Sequence, residues 1–96
     1  MEMRVVVYGG KGTGKTTLAD RIAAENNLRR VAALPMDGTD DVDYILGAFF
    51  YSDCVVSEAL AETEVQVRDF LYQWGEAESH FVRDILFIPA PLHKDQ

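Results

Sequence analysis

The sequence predicts an α/β fold in three layers, in which a small parallel sheet of about four strands lies between helices. Short apolar runs that suit buried strands alternate along the chain with longer stretches whose apolar residues recur at helical spacing. A predicted helix lies in each passage between predicted strands, which favours parallel strands and right-handed crossovers. The length of 96 residues and the 48% hydrophobic content predict one domain over residues 1–96 and exclude wholesale disorder.

The first half of the chain is predicted to hold two strands and two helices. Residues 4–8, RVVVY, are a mostly β-branched run closed by two glycines, and they predict the first strand. Residues 15–27 predict a helix that stops at two asparagines. A second strand is expected over 30–34, ended by Pro35, and a second helix over 40–51. The residues expected to face inward from these helices are Leu18, Ile22, Ala23, Val42, Ile45, Leu46 and Phe49.

The second half is predicted to add two strands and one longer helix. Residues 54–57 form a short apolar run with Glu58 at its tip, and a helix is expected from residue 59 to residue 74, ended by Gly75. One further turn is expected over 76–81, and residues 84–88 predict the last strand, closed by prolines. Glu64 and Arg68 are spaced i,i+4 on the outer side of the helix. The residues expected on its inner side are Leu60, Val67, Phe70, Leu71 and Trp74.

A glycine-rich loop connects the first strand to the first helix. Residues 9–16, GGKGTGKT, fit the phosphate-binding pattern G-x-x-x-x-G-K-[ST] in the strand–loop–helix context that the pattern requires. The glycines let successive amides point inward, and the helix adds its partly positive N-terminus. A plain glycine-rich turn that caps a helix is the alternative, but it does not explain four glycines and two lysines. The predicted fold is therefore a three-layer P-loop NTPase-like domain.

The loop pattern assigns expected roles to individual residues. Lys15 is placed to reach the β- and γ-phosphates of ATP, and the Thr16 hydroxyl is placed to bind Mg²⁺. Lys11 is either a solvated loop residue or a further phosphate contact, and Thr17 is expected to hydrogen-bond a phosphate oxygen. The residues expected to bind the nucleotide are Gly9, Gly10, Lys11, Gly12, Thr13, Gly14, Lys15, Thr16 and Thr17.

A magnesium–nucleotide site also needs a carboxylate near the metal ion, usually at the end of a neighbouring strand. Glu58 is the favoured candidate, followed by Asp37 after the second strand. Asp53 is a third candidate, and its position relative to the sheet depends on where the third strand begins. The alternative for Glu58 is an acidic residue in the first turn of a helix. The expected catalytic residues are thus Lys15, Glu58 and Asp37, and the expected metal ligands are Thr16 and Glu58. The aspartates of residues 37–43 are either a solvated helix start or a substrate-recognition loop.

Composition narrows the classes of partner. A formal net charge of −7 disfavours a nucleic-acid partner. Cys54 is the single cysteine, and together with His80 and His93 it does not make a zinc pattern. No stretch approaches the roughly 20 apolar residues of a membrane span, so a cytoplasmic protein is expected. A core of this size is modest, which favours a homodimer or docking on a larger protein.

Three segments resemble the P-loop kinases of nucleosides and nucleotides, the thymidylate and deoxynucleoside kinase group. The loop over residues 9–16 is the specific match. The segment 55–58 resembles that group's second core strand, which ends in an acidic residue, and the segment 84–91 resembles the next strand and its turn. The resemblance implies ATP- and Mg²⁺-dependent phosphoryl transfer to a small acceptor such as a nucleoside or nucleotide.

The chain also departs from that group. Ala59 stands where the group has an arginine after the carboxylate, and no arginine lies in a recognisable lid segment. Such arginines neutralise the charge that develops on a transferred phosphoryl group. The resemblance therefore implies a truncated or miniature kinase-like protein. A nucleotide-binding module without catalysis, or a partner-binding or inhibitory protein on the same scaffold, is the alternative.

Overall fold

The computed structural model describes residues 2–38, 41–74 and 82–91, and the described strands form one parallel sheet. The sheet order is β2-β3-β1-β4, so β1 is central and has a parallel neighbour on each side. The predicted α/β fold with a four-stranded parallel sheet is confirmed. The elements in chain order are β1 (Met3–Gly9), α1 (Lys15–Asn26), β2 (Arg29–Arg30), α2 (Val42–Phe50), β3 (Cys54–Leu60), α3 (Glu64–Trp74) and β4 (Ile85–Pro89).

Helices cover both faces of the sheet, because side chains alternate between the faces along each strand. On one face, the buried valines Val5, Val7 and Val56 pack against α1. On the other face, Val6 and Val55 pack against the apolar sides of α2 and α3. The helical residues on that second face are Val42, Leu46, Phe49, Phe50, Val67, Phe70 and Leu71.

The parallel arrangement brings the carboxyl ends of three strands to one edge. Gly9 at the end of β1 pairs with Leu60 of β3, and Tyr8 pairs with Pro89 of β4. The Ala61 amide donates to the Gly9 carbonyl over 3.1 Å, and the Ala90 amide donates to the Tyr8 carbonyl over 2.7 Å. The loop after β1 is therefore flanked by the ends of β3 and β4, as expected for the ligand-binding edge of an open α/β sheet.

The predicted second strand over 30–34 is wrong in its extent, because β2 contains only Arg29 and Arg30. The chain beyond it still runs beside β3, where the Val31 amide donates to the Val56 carbonyl and the Leu34 amide to the Glu58 carbonyl. Two such bonds across four residues hold the segment against β3 without a continuous ladder, and Pro35 has no amide with which to continue it.

The third strand is longer than predicted, and the third helix starts later. β3 continues through Ala59 and Leu60, which pair with Tyr8 and Gly9 of β1. Leu60 is therefore an exposed strand residue and not part of the inner face of a helix. The predicted helix start at residue 59 is wrong because these two residues pair with β1, and the local sequence pattern does not show that pairing.

The start of α3 carries a local signal. Thr63 and Gln66 form a capping box, in which the Gln66 amide donates to the Thr63 hydroxyl over 3.3 Å and the Thr63 amide donates to Gln66 Oε1 over 3.1 Å. These two bonds satisfy amides that the first turn of a helix leaves without partners. The helix therefore begins at Glu64, directly after this box.

The other boundaries differ from prediction by one or two residues. The second helix covers Val42–Phe50 and the fourth strand covers Ile85–Pro89. The predicted Glu64–Arg68 pair is present, with 2.7 Å between Oε2 and Nε.

Gly75, the turn over 76–81, His80 and His93 lie outside the described residues, as does the side chain of Trp74. None of the described helices has the length and apolar character needed to cross a membrane.

Candidate functional site

The loop between β1 and α1 curls where its glycines adopt left-handed backbone conformations. Gly12 has a φ of 77° and Gly14 a φ of 84°, values that residues with a Cβ atom adopt only at a cost. Helix α1 begins at once, since the Leu18 amide donates to the Gly14 carbonyl over 3.0 Å. The amides of residues 15–17 therefore have no helical acceptor, and Gly14 has no side chain to cap them. The positive end of the helix faces the hollow of the loop.

Two side chains hold the curl from inside. The buried Thr13 hydroxyl donates to the Gly10 carbonyl over 2.8 Å, and the Lys15 ammonium donates to the same carbonyl over 2.9 Å. Lys15 thus lies back across the loop. Its charge stands at the positive end of α1, an arrangement that is unfavourable unless an anion compensates it.

Glu58 meets the first turn of α1. It pairs with Val7 and lies on the α1 face of the sheet, two residues before the end of β3. Its Oε1 atom accepts a hydrogen bond from the Thr16 hydroxyl over 2.9 Å, and its side chain is 12% exposed. The structure thus corrects the predicted tip position of Glu58: strand alternation, not strand termination, turns this carboxylate toward α1.

Arg30 joins Glu58 to α1 in a triad with Asp20. The Arg30 guanidinium donates through Nη2 to Glu58 Oε2 and through Nε to Asp20 Oδ1, the second bond over 2.8 Å. Burial by itself lowers the pKa of Arg30, but the bonds to Asp20 and Glu58 outweigh burial and raise the pKa above its ordinary value. A raised pKa means that this guanidinium keeps its charge, and its contribution to stability, at every pH below that ordinary value.

The remaining predicted site residues are distributed around the loop. Lys11 and Thr17 are exposed on the loop and on the first turn of α1. Asp37 is exposed in the turn that follows the extended segment beside β3. Asp53 precedes β3 at the opposite edge of the sheet, where its carbonyl accepts from the Met3 amide, so it is not a candidate ligand. Asp40 lies outside the described residues.

Open grooves flank the loop on both sides. On the β3 side, a hollow of about 340 Å³ lies beside Gly10, Met36, Leu60 and Gln66. A neighbouring hollow of about 510 Å³ shares Met36 and Leu60 with it and reaches Asp37. On the β4 side, the loop adjoins a third hollow of about 460 Å³ lined by Tyr8, Gly9, Lys11, Glu62, Pro89 and Ala90 among others. The loop therefore lies between two open spaces, each large enough for part of a small molecule.

The residues present fit a nucleotide and its magnesium ion. The loop offers free helix amides and the Lys15 ammonium to phosphate oxygens, while Thr16 and Glu58 offer a hydroxyl and a carboxylate to a hard cation. Among the described residues, no group of three or more His, Cys, Asp or Glu residues is arranged to hold a metal ion. Mg²⁺ typically uses one or two carboxylates and completes its shell with water and substrate phosphates, which suits this donor set.

Sequence reasoning missed Arg30 and Asp20 as parts of the site. Arg30 pairs with Val56 and shares the α1 face with Glu58, and Asp20 lies one turn beyond Thr16 on α1. The spacing of Thr16 and Asp20 is readable as one helix face. The approach of Arg30 depends on the register between β2 and β3, for which the sequence has no local signal.

Comparison with known proteins identifies the family. The family model described as "ATPase family associated with various cellular activities (AAA)" matches residues 5–89, which include β1 from its third residue onward and all the other described strands and helices. No curated protein matches the chain, and no solved structure matches it.

Proposed function

The chain belongs to the AAA family of ATPases, and we propose that its loop over residues 9–16 binds the phosphates of ATP together with Mg²⁺. One observation carries the proposal. The uncapped start of α1, the Lys15 ammonium and the Thr16–Glu58 pair converge at the same edge of the sheet. These groups are the parts that nucleotide phosphates and their metal ion require.

Each residue has a distinct role in the proposal. The amides at the start of α1 receive phosphate oxygens, and the Lys15 ammonium exchanges the Gly10 carbonyl for the β- and γ-phosphates. Thr16 and Glu58 hold the metal ion directly or through its water ligands. When bound, Mg²⁺ neutralises phosphate charge during phosphoryl transfer.

Transfer to a small acceptor, the finer function that the kinase resemblance suggests, is a second candidate. The groove beside Gly10 favours it, because Met36 and Leu60 provide an apolar floor next to the proposed phosphate position. Asp37 lines the neighbouring hollow that shares Met36 and Leu60 with this groove, and a carboxylate there is able to orient an acceptor hydroxyl. If the protein binds ATP but transfers no phosphate to an acceptor, the groove has no role in catalysis.

The test removes the central cation. Lys15→Ala is expected to weaken ATP binding roughly ten- to hundredfold, because a charge-assisted bond contributes about 1.5–3 kcal/mol. Isothermal titration calorimetry with MgATP measures the loss. The matched control is Arg83→Ala, which removes an exposed cation next to the amino end of β4, at the edge away from the loop, and is expected to bind like the wild type.

Product analysis separates the two candidates. Phosphate release without an acceptor indicates ATP hydrolysis, whereas phosphate that appears on a nucleoside or nucleotide only when one is supplied indicates transfer. Equal ATP affinity in the wild type and Lys15→Ala would contradict the proposed binding mode.

A further inference from the structure

Both oxygens of the Glu58 carboxylate are engaged. Oε1 accepts from the Thr16 hydroxyl, and Oε2 accepts from Arg30 Nη2. Each oxygen keeps a second lone pair, so the two present partners oppose a metal ion by the space and the positive charge that they place beside the carboxylate. The partner on Oε2 also carries a positive charge, which opposes the approach of any cation.

Arg30 is held in this position by more than Glu58. Asp20 Oδ1 accepts from its Nε over 2.8 Å, and the Val31 carbonyl accepts from its Nη1 over 3.0 Å. Its side chain is 28% exposed. Carboxylates from α1 and β3, together with the carbonyl of the next residue, fix the guanidinium, so the positive charge beside Glu58 is held by two other elements of the fold.

We propose that Arg30 is a positioning residue that keeps Glu58 from binding a metal ion until the ion arrives together with a nucleotide. The inference rests on the proposed function. Arg30 directs Oε1 toward Thr16 and cancels the charge of the carboxylate, so the nucleotide-free site has little attraction for a divalent cation. A nucleotide brings its own phosphate ligands and negative charge, which shift the balance in favour of the metal ion.

The charge arithmetic predicts the size of the effect. A unit charge a few ångströms from a divalent ion in water-like surroundings changes the affinity of the ion roughly tenfold. Removing the Arg30 charge therefore raises nucleotide-free metal affinity about tenfold. The same removal weakens the binding of metal-free ATP, because one cation near the phosphates is lost.

The first experiment measures metal binding without nucleotide. Mn²⁺ serves as the probe, titrated into wild type, Arg30→Gln, Arg30→Lys and the control Arg29→Gln, with free Mn²⁺ followed by electron paramagnetic resonance. Arg29 is the exposed arginine that directly precedes Arg30, so its variant matches the change in net charge. Arg30→Gln is expected to bind Mn²⁺ about tenfold more tightly than the other three proteins.

Several results would overturn the proposal. Equal Mn²⁺ affinity in Arg30→Gln and the wild type would do so, and so would the same gain in Arg29→Gln. The gained site must also disappear in the double variant Arg30→Gln with Glu58→Gln, since otherwise the ion lies elsewhere. If Arg30→Gln does not fold, the nucleotide-free wild type still decides: a Mn²⁺ affinity that falls about tenfold in Glu58→Gln would show that Glu58 already binds the ion without nucleotide and would contradict the proposal.

The second experiment separates positioning from simple support of the fold. ATP affinity is measured by calorimetry with Mg²⁺ and with EDTA. Arg30→Gln is expected to increase the ratio of the two affinities about tenfold, and Arg30→Lys to restore it, whereas a purely structural defect lowers both affinities together. A wild type that binds no nucleotide would refute the proposed function, while the Mn²⁺ titration, which needs no nucleotide, still tests the role of Arg30.

Discussion

At the scale of the residue, the space around individual glycines decides which positions accept a side chain. A Cβ atom on Gly9 would lie 2.6 Å from Thr13 Oγ1, whereas a Cβ atom on Gly47 within α2 would meet nothing within 4 Å. Gly9→Ala is therefore expected to lower the free energy of unfolding by about 1–3 kcal/mol and to displace the hydroxyl that holds the loop curl. Gly47→Ala is expected to raise it by about 0.5–1 kcal/mol, because alanine favours the helix.

Urea unfolding followed by circular dichroism measures both changes. Gly47→Ala is the control for Gly9→Ala, since both replace a glycine by the same residue. Unaltered stability and ATP binding in Gly9→Ala would show that the approach of Thr13 to Gly9 does not shape the loop.

At the scale of the element, a buried arginine joins α2 to the central strand. Arg4 of β1 is 5% exposed, and its guanidinium donates to the carbonyls of Phe49 and Phe50 over 3.3 Å and 2.6 Å. These carbonyls belong to the last turn of α2, where no helical amide follows to pair with them. The position of α2 therefore depends on a side chain from the strand beneath it as well as on apolar packing.

Arg4→Met tests this connection. Methionine occupies a similar length of apolar space without donors, so the two carbonyls lose charged partners, and the free energy of unfolding is expected to fall by about 2 kcal/mol. The exposed Arg83 provides the control Arg83→Met, for which a change within about 0.5 kcal/mol is expected. Equal losses of stability in the two variants in urea titrations would argue that Arg4 does not support α2.

At the scale of the whole molecule, ligand binding and folding are linked. A ligand present at a hundred times its Kd stabilises the native state by about 2.7 kcal/mol. For a chain of 96 residues, each kcal/mol corresponds to about 4–8 °C of Tm, so MgATP is expected to raise Tm by about 10–20 °C. Differential scanning fluorimetry with ATP, ADP and GTP, with and without Mg²⁺, measures the shift. The same shift in Lys15→Ala would place the nucleotide elsewhere.

Local signals explain the parts that the sequence predicts well. The order of strands and helices follows from apolar periodicity. The loop over 9–16 follows from the spacing of its glycines and lysines, because that spacing sets where the loop turns and where the helix begins. The inner faces of α1 and α2 were predicted from the same periodicity, and Ile22, Ala23, Val42, Leu46 and Phe49 are buried.

Pairing across the sheet explains the parts that the sequence predicts poorly. The apolar spacing places Ala59 and Leu60 in the helix that follows, but both residues pair with β1 and belong to β3. The local signal for the start of α3 is the capping box of Thr63 and Gln66, four residues after Ala59. Here the long-range hydrogen bonds of the parallel ladder outweigh local propensity.

Residues close together in the chain are enough to predict the alternation of strands and helices and the glycine-rich loop with the phosphate-binding pattern. The approach of Glu58 to Thr16, and of Arg30 to Glu58 and Asp20, is visible only in the folded chain. The physical reason is register, because strand pairing sets which side chains share a face and a shift of one residue would turn Glu58 to the opposite side of the sheet.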